Sequence, residues 1–294
     1  MRTALLTGML ATVSVVVPTG VLAAGSAASA APAVAARPSG SARPVLYHVP
    51  IIGKHLLRVL TFHGGRKNTS DVQSANWAGY VDTGETFQTL SSSWTEPTVN
   101  CTSTDLLGLV PEAAYSAFWV GLDGYTSASV EQTGTDSDCT SSGTPSYYAW
   151  YEMYPAGSVD LSTTKYPVQP GDHLTGMVTS NVSGSTFYLI LKDSTEGWTF
   201  FDSLAGHGLA RSSAEFIAEA PSECSALSCN ELPLANFGTV TFSNAFAADP
   251  AGRHGNIETF TNADIQMASD GSVLASPSGL SGGGSDFSVD WANS

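Results

Sequence analysis

The sequence predicts an all-β fold, an antiparallel β-sandwich of the jelly-roll or concanavalin-like type. From Asn76 to Trp291 the chain is dense in Thr, Ser, Val and aromatic residues, and turn residues recur at short intervals. No long stretch has the 3.6-residue periodicity of an amphipathic helix, and there is no internal repeat. Many short strands without intervening helices favour a sandwich or jelly roll.

Ten segments of this region have the β-branched and aromatic composition that is typical of strands. In chain order they are Asn76–Val81, Thr86–Trp94, Ser116–Leu122, Tyr147–Tyr154, His173–Ser180, Thr186–Lys192, Thr199–Asp202, Ala214–Ala218, Val240–Phe246 and Phe287–Trp291. The Gly/Ser-rich run Ser278–Ser285 predicts an exposed loop before the last strand. About 220 residues are enough for one such domain with a substantial core.

The first 30 residues have the organisation of a signal peptide. Arg2 supplies the positive start, Ala4–Leu22 is an apolar run, and Ala28-Ser29-Ala30 is a small-residue cleavage site. Pro18 and the small residues after the run argue against a membrane anchor. We therefore expect residues 1–30 to be removed and the protein to be secreted and extracellular.

Charge divides the rest of the chain into a basic and an acidic part. Residues 31–72 contain six basic residues and one acid, whereas residues 73–294 contain four basic residues and 25 acids. A region this acidic repels nucleic acid and anionic membranes, so both are poor partners. We expect residues 31–72 to be a basic pro-segment and linker that binds the acidic β-sandwich domain near neutral pH. Because carboxylates titrate near pH 4, acid would weaken that binding.

The four cysteines fit an extracellular protein with two disulfides. Cys224 and Cys229 enclose a short loop, which leaves Cys101 and Cys139 as the other natural pair. Four cysteines allow three connectivities, and the sequence alone does not choose among them. Neither pair has CxxC spacing or a nearby His, so we expect no metal and no cofactor.

Several common hydrolytic chemistries fit the sequence poorly. Asp82-Thr83-Gly84 resembles half of a paired-aspartate site, but no second copy exists. Gly279-Leu280-Ser281-Gly282-Gly283 matches a nucleophile elbow, but no His follows it in the chain. After the basic segment only three widely spaced His remain, without an HExxH pattern. An amide and a carboxylate are then the leading candidates: Gln132 and Glu215, each next to an apolar strand.

Six sequence blocks carry a resemblance to a known family. They are Ser74–Tyr80 (SANWAGY), Phe118–Gly124 (FWVGLDG), Glu131–Gly134 (EQTG), Ala149–Pro155 (AWYEMYP), Ala214–Ile217 (AEFI) and Ala235–Val240 (ANFGTV). In this order they resemble the glutamic endopeptidases, or eqolisins, which are secreted acid proteases that resist pepstatin. The resemblance extends from about Ser74 to Ala247.

The resemblance implies a sandwich of two curved antiparallel sheets with a catalytic cleft across the concave face. It implies a catalytic pair consisting of Gln132 and Glu215, with Trp119, Trp150 and Glu152 at cleft positions around it. It also implies a cleft position for the acid Asp136, shortly after the Gln.

The chain departs from the family pattern at Tyr148 and in the segment after Ala247, which extends beyond the usual fungal end. Fungal members usually have an Asp where this chain has Tyr148, so any hydrogen bond from that Asp is lost or replaced. Glu131, beside Gln132, should point to the opposite sheet face by strand alternation and is expected to lie at the surface.

Peptide hydrolysis needs a base for water, a donor for the developing oxyanion and an acid for the leaving amine. Glu215 could take the water proton and return it to the amine, while Gln132 donates an N–H to the oxyanion. We expect the substrates to be polypeptides. We expect the protein to be synthesised as a zymogen and to be a monomer. The alternative is a carbohydrate-binding jelly-roll lectin, which would explain the aromatic residues but not a basic pro-segment.

Overall fold

The computed structural model describes residues 44–51, 56–60, 69–102, 111–225 and 228–292. All of them belong to one unit, Pro44–Ser294. The expected signal peptide, and the expected pro-segment as far as Arg43, lie outside the described residues. Within the described ranges no helix has the length and hydropathy that crossing a bilayer requires.

The described chain is almost entirely β-structure, with one 3-10 turn at Ile257–Thr259. The first ten strands are β1 Leu46–Tyr47, β2 Leu56–Leu60, β3 Thr69–Ser74, β4 Trp77–Thr83, β5 Thr89–Thr95, β6 Ala117–Leu122, β7 Val130–Cys139, β8 Pro145–Tyr154, β9 Val159–Asp160 and β10 His173–Ser180. The others are β11 Thr186–Asp193, β12 Trp198–Ala205, β13 Ser213–Glu219, β14 Ser222–Cys224, β15 Cys229–Glu231, β16 Thr239–Ala248, β17 His254–Gly255, β18 Thr261–Ser269, β19 Ser272–Pro277 and β20 Phe287–Trp291. All ten predicted strands are confirmed, with small differences at their ends.

These strands form two layers. The site sheet runs β3–β18–β4–β13–β6–β7–β8–β9 and is antiparallel except where β3 pairs with β18. The back sheet runs β12–β11–β10–β5–β16–β20. Strand β19 pairs with both β18 and β20 and so connects the two sheets. The predicted antiparallel sandwich is confirmed.

Each face of the site sheet is covered by its own apolar cluster. The main core contains Phe118 and Phe216 from the site sheet together with Phe187 and Phe242 from the back sheet. Their alternate neighbours on the same strands point the other way, because successive strand residues face opposite sides of a sheet. That second face carries another cluster, which contains Trp77, Trp119, Trp150, Ile217 and Ile51. The central strands are therefore buried on both faces.

Strand β7 was missing from the predicted set because its composition is not that of a strand. Its sequence, VEQTGTDSDC, contains three acids, a Gly and few apolar residues, yet all ten positions are buried. One edge pairs with β6 and the other with β8. The hydrogen bonds of these two ladders hold the strand, and most of its polar side chains form hydrogen bonds on one face or the other. Strands β18 and β19 were also missed.

The structure includes part of the expected pro-segment. Strand β1 pairs with β14, outside the two large sheets. The expected boundary between residues 72 and 73 falls inside β3, which pairs with β18 in the site sheet. Two disulfides are present, Cys101–Cys139 and Cys224–Cys229, which are the pairs that the spacing of the cysteines favoured.

Candidate active site

Strand register brings Gln132 to the middle of the second, outward face of the site sheet. Gln132 lies opposite Gly121 of β6 on one side and Glu152 of β8 on the other. Directly opposed residues in a sheet point to the same face. The side chains of Gln132 and Glu152 are therefore neighbours, and both are buried.

The Gln132 amide makes two hydrogen bonds, each 2.8 Å long. Its Nε2 donates to Oε2 of Glu152 and to the main-chain carbonyl oxygen of His48. Both partners are acceptors when Glu152 is ionised, so the amide must turn its N–H₂ group toward them. Glu152 thus fixes one hydrogen of the amide, and the other points at a peptide carbonyl.

A second carboxylate, Glu219, lies on the same face at the end of β13. Its Oε2 accepts a 2.7 Å hydrogen bond from Nε1 of Trp119. Its Oε1 accepts from the main-chain N–H of Val49 at 3.1 Å and from Nδ2 of Asn76 at 3.3 Å. This carboxylate is therefore held by Trp119 of β6 and by Asn76, in the bend between β3 and β4, and also contacts a peptide N–H.

The peptide groups that Gln132 and Glu219 contact belong to residues 44–51, which lie across the second face of the site sheet. We call these residues the cleft segment. His48, Val49 and Ile51 are 1%, 2% and 0% exposed. The His48 ring stacks on Trp150, with 3.6 Å between centroids and 5° between planes. The carbonyl of Val49 accepts from Asn76 Nδ2 at 3.0 Å.

Burial controls the charge of this site. Burial raises the pKa of Glu152, and the charge of Glu219 raises it further, whereas hydrogen bonds from the His48 N–H and Gln132 lower it. Burial also raises the pKa of Glu219, against hydrogen bonds from residues that include Trp119 and Asn76. The pKa of His48 is lowered well below 6.5 by burial. Its Nδ1 lies 3.4 Å from Glu219 Oε2, but a neutral ring forms no ion pair there.

Glu215 shares the face of Gln132 but is not brought next to it. Gly121 lies between them, opposite both. The Trp119 indole occupies the space beside Gly121, because a Cβ on Gly121 would come within 3.0 Å of its Cζ3 atom. The indole therefore lies between the two side chains. Neither Glu215 oxygen accepts a hydrogen bond of ordinary geometry from the described residues, and burial raises the pKa of Glu215 well above 4.5.

Asp136 lies further along β7 and contacts Tyr148 rather than the cleft segment. The Tyr148 hydroxyl oxygen lies 2.8 Å from Oδ2 of Asp136 and 2.9 Å from Oδ2 of Asp138, so its single hydrogen is shared between the two carboxylates. Tyr148 thus supplies hydrogen bonds at the position where fungal members have an Asp. Burial raises the pKa of Asp136, and the nearby charge of Asp138 adds to the effect.

The structure therefore gathers Gln132, Glu152, Trp119 and Trp150, which the sequence singled out. It adds Glu219, Asn76 and His48, which sequence reasoning missed. Two signals were available for these residues. Glu219 lies four positions after Glu215 and so faces the same side of a strand, and Asn76 stands inside the SANWAGY block.

Glu131 does point to the opposite face of β7, as alternation predicted, but it is not at the surface. It is fully buried. Burial, reinforced by the charge of Asp123, raises the pKa of Glu131 to about 9. The expected surface position is wrong because the back sheet covers that face of the strand.

Comparison with known proteins decides the family. The profile of the Peptidase A4 family matches residues 75–290 of this chain. The chain belongs to the peptidase A4 family. This family member is a peptide hydrolase, and the resemblance to the glutamic endopeptidases is confirmed.

Two fungal peptidases and their structures are similar to this A4 peptidase. Aspergillopepsin-2 of Aspergillus niger is 31% identical over 225 residues, which cover 71% of this chain and 76% of the relative. Scytalidopepsin B of Scytalidium lignicola is 31% identical over 166 residues, covering 55% and 59%. A crystal structure of scytalido-glutamic peptidase with a transition state analog inhibitor has a TM-score of 0.63 at 26% identity, covering 74% of this chain and 98% of that one. The structure of aspergilloglutamic peptidase from Aspergillus niger has a TM-score of 0.51 at 30% identity, covering 61% and 99%.

Proposed function

We propose that this A4 peptidase is a secreted, acid-acting endopeptidase, made as a zymogen, in which Gln132 and Glu219 form the catalytic pair. The observation that carries the proposal is a single peptide group held from both sides. Gln132 donates to its carbonyl oxygen, and Glu219 accepts from its N–H. These are the oxygen that becomes anionic when water adds to the carbonyl carbon and the nitrogen that becomes the leaving amine.

The roles follow from the contacts. Gln132 Nε2 donates to the carbonyl oxygen, which becomes anionic when water adds to the carbon; one such donor typically contributes a few kcal/mol. Glu219 takes a proton from the attacking water and passes a proton to the leaving nitrogen. Glu152 positions Gln132 by holding its other N–H. Trp119 positions Glu219 through its indole N–H.

We propose Glu219 in place of Glu215, which the sequence had suggested, because of reach. Glu219 contacts the peptide N–H, whereas Glu215 lies beyond the Trp119 indole and makes no hydrogen bond to the described cleft segment. Glu152 is the other candidate base. Its contacts are with Gln132 and with the N–H of His48, on the carbonyl side of the bond rather than beside the leaving nitrogen.

Zymogen formation is supported by the cleft segment, which fills the site that a substrate would use. Its departure would return water to Glu152 and Glu219 and so reduce the burial that raises their pKa. Secretion is supported by the signal-peptide pattern of residues 1–30 and by the presence of two disulfides. Membership of a peptidase family argues against the lectin alternative.

A matched set of variants tests the catalytic pair. Acidified protein is incubated with a denatured protein substrate, with and without pepstatin, and substrate cleavage is followed. We expect activity that survives pepstatin, falls at least a hundredfold in Gln132→Ala and Glu219→Gln, and stays within a few-fold in Glu215→Gln. Thermal melts confirm that each variant is folded. Full activity in Glu219→Gln, with loss in Glu215→Gln, would restore Glu215 as the catalytic carboxylate.

A further inference from the structure

We propose that the peptide bond between His48 and Val49 is bound as a substrate and is the bond that the protein cuts in itself during maturation. This inference rests on the proposed function. It goes further by naming the scissile bond, the direction of binding and a side-chain preference.

Among the residues that the structure describes, the catalytic pair forms hydrogen bonds to one peptide group only. Gln132 reaches the carbonyl oxygen of His48 at 2.8 Å, and Glu219 reaches the N–H of Val49 at 3.1 Å. These two atoms belong to the same peptide bond. A segment that merely covered the cleft would have no reason to align one bond between the oxyanion donor and the carboxylate.

The neighbouring peptide groups of the cleft segment are fixed as well. The N–H of His48 donates to Glu152 at 3.0 Å, and the carbonyl of Val49 accepts from Asn76 at 3.0 Å. Moving the segment by one residue would break all four contacts. Its register in the cleft is therefore determined by hydrogen bonds on both sides of the proposed scissile bond.

The residues on either side of the proposed scissile bond are anchored like the ends of an extended substrate. On the amino side, Leu46 accepts hydrogen bonds from the main chain and side chain of Ser158, and β1 pairs with β14. On the carboxyl side, the N–H of Ile51 donates to the carbonyl of Gly124 at 3.1 Å. The chain is thus held at both ends across the site, which keeps reacting groups in position.

The reaction consumes one water molecule and needs no other reactant. A hydroxide equivalent, formed when Glu219 removes a proton from water, bonds to the carbonyl carbon of His48. The C–N bond then breaks and Glu219 gives the proton to the nitrogen of Val49. The products are a carboxyl group on His48 and a free amino group on Val49.

The position of the His48 ring indicates a preference for planar side chains before the scissile bond. The ring lies flat against Trp150 at 3.6 Å and is almost completely buried. Stacked contact with an indole suits aromatic rings and imidazole and gives little to small side chains. We expect substrates with an aromatic residue or His at this position to be cleaved fastest.

The experiment uses the full-length precursor, purified near neutral pH and then acidified over a range of protein concentrations. Intact mass and N-terminal sequencing identify the first product. We expect a new N-terminus at Val49, formed at a rate that does not depend on protein concentration, because the bond already lies in its own site. The Glu219→Gln precursor should remain intact, which controls for contaminating proteases.

A matched pair of proline variants tests the contact at Val49. Val49→Pro removes the N–H that contacts Glu219 and should slow cleavage at this bond at least tenfold. Val45→Pro, at a partly exposed position of the same segment, should leave the rate within about threefold. Synthetic peptides of the 44–51 sequence, given to the matured enzyme, test the side-chain preference. Phe in place of His48 should preserve cleavage, and Ala should slow it at least tenfold.

Two results would overturn the inference. A matured enzyme that digests denatured protein but begins at another residue, with the His48–Val49 bond never cut, would refute the inference and leave the proposed function standing. Cleavage at this bond at the same rate in the Glu219→Gln precursor would assign it to another protease. If the acidified protein digests no substrate at all, the proposed function itself fails.

Discussion

The buried carboxyl group of Glu96 predicts that the fold is more stable in acid than at neutral pH. Glu96 follows β5 and accepts hydrogen bonds from Thr135 at 2.5 Å and Ser137 at 2.6 Å, both on the main-core face of β7. Burial raises the pKa of Glu96 from 4.5 to about 7, against the hydrogen bonds from these hydroxyls. The charge of Asp172 adds a smaller upward contribution.

The sign and size of the effect follow from linkage between protonation and folding. Between pH 4.5 and about 7 the folded state holds a proton on Glu96 that the unfolded chain has lost. The free energy of unfolding therefore falls as pH rises through this window and is unaffected by Glu96 below it. At about 1.4 kcal/mol per pH unit, the whole displacement corresponds to roughly 3 kcal/mol.

The test variant is Glu96→Gln, which keeps the shape of the side chain but replaces the ionisable carboxyl group by a neutral amide. Urea unfolding of both proteins is measured from pH 4 to pH 8. The free energy of unfolding of Glu96→Gln minus that of the unmodified protein should rise by about 3 kcal/mol from pH 4 to pH 8, because only the unmodified protein loses stability as pH rises. The exposed Glu112→Gln serves as the matched control and should show no such trend. A difference between Glu96→Gln and the unmodified protein that is constant with pH would refute the reasoning.

Three further predictions concern stability. Replacing Cys101 and Cys139 by Ala opens a disulfide between residues 38 positions apart, which should lower the free energy of urea unfolding by about 4 kcal/mol. Gly79→Ala should lower it by about 3 kcal/mol or more, because Gly79 has a φ of 145° and a Cβ there would lie 2.2 Å from the Phe216 carbonyl oxygen. Tyr148→Phe should lower the free energy of unfolding at neutral pH by about 1–3 kcal/mol, since two buried carboxylates lose a shared donor. Thermal melts would show this as a lower melting temperature. In acid the loss should be smaller, because a protonated carboxyl can itself donate.

Each of these predictions has a result that would contradict it. Unchanged stability of the double Cys variant under non-reducing conditions would mean that the disulfide does not constrain the unfolded chain. A soluble Gly79→Ala protein with normal melting behaviour would mean that β4 and β13 can separate locally at little cost. An effect of Tyr148→Phe that is equal at both pH values would show that the hydroxyl acts through packing rather than through the two carboxylates.

The sequence predicted strands where apolar and β-branched residues mark them, but it did not predict β7 in the strand set. The polar residues of β7 are stable inside the protein only because particular partners exist, such as Glu96 for Thr135 and Ser137. Those partners are distant in sequence, and composition does not reveal them. Strands β18 and β19 were missed in the part of the chain after Ala247, which the six sequence blocks do not reach, although the family profile matches as far as residue 290.

The candidate site, like the strand set, could be predicted from the sequence only in part. Alternation along a strand places Gln132 and Glu152 on a common face once the β7–β8 register is known. The same alternation allows either Glu215 or Glu219 as the partner carboxylate, since both face that side. The choice depends on the position of the Trp119 indole and of the cleft segment. Neither position is a property of local sequence.

The double burial of β13 links the chemistry of this protein to the correctness of its folding. Glu215, Ile217 and Glu219 face the cleft side, while Phe216 and its alternate neighbours enter the main core. A slip of one residue in pairing would exchange the two sets, placing carboxylates in the core and Phe216 in the cleft. With Glu219 as the proposed catalytic carboxylate, we expect misregistered chains to be both unstable and unable to hydrolyse peptides. We therefore expect the specific activity of a preparation to fall as the fraction of molecules with misaligned central strands rises.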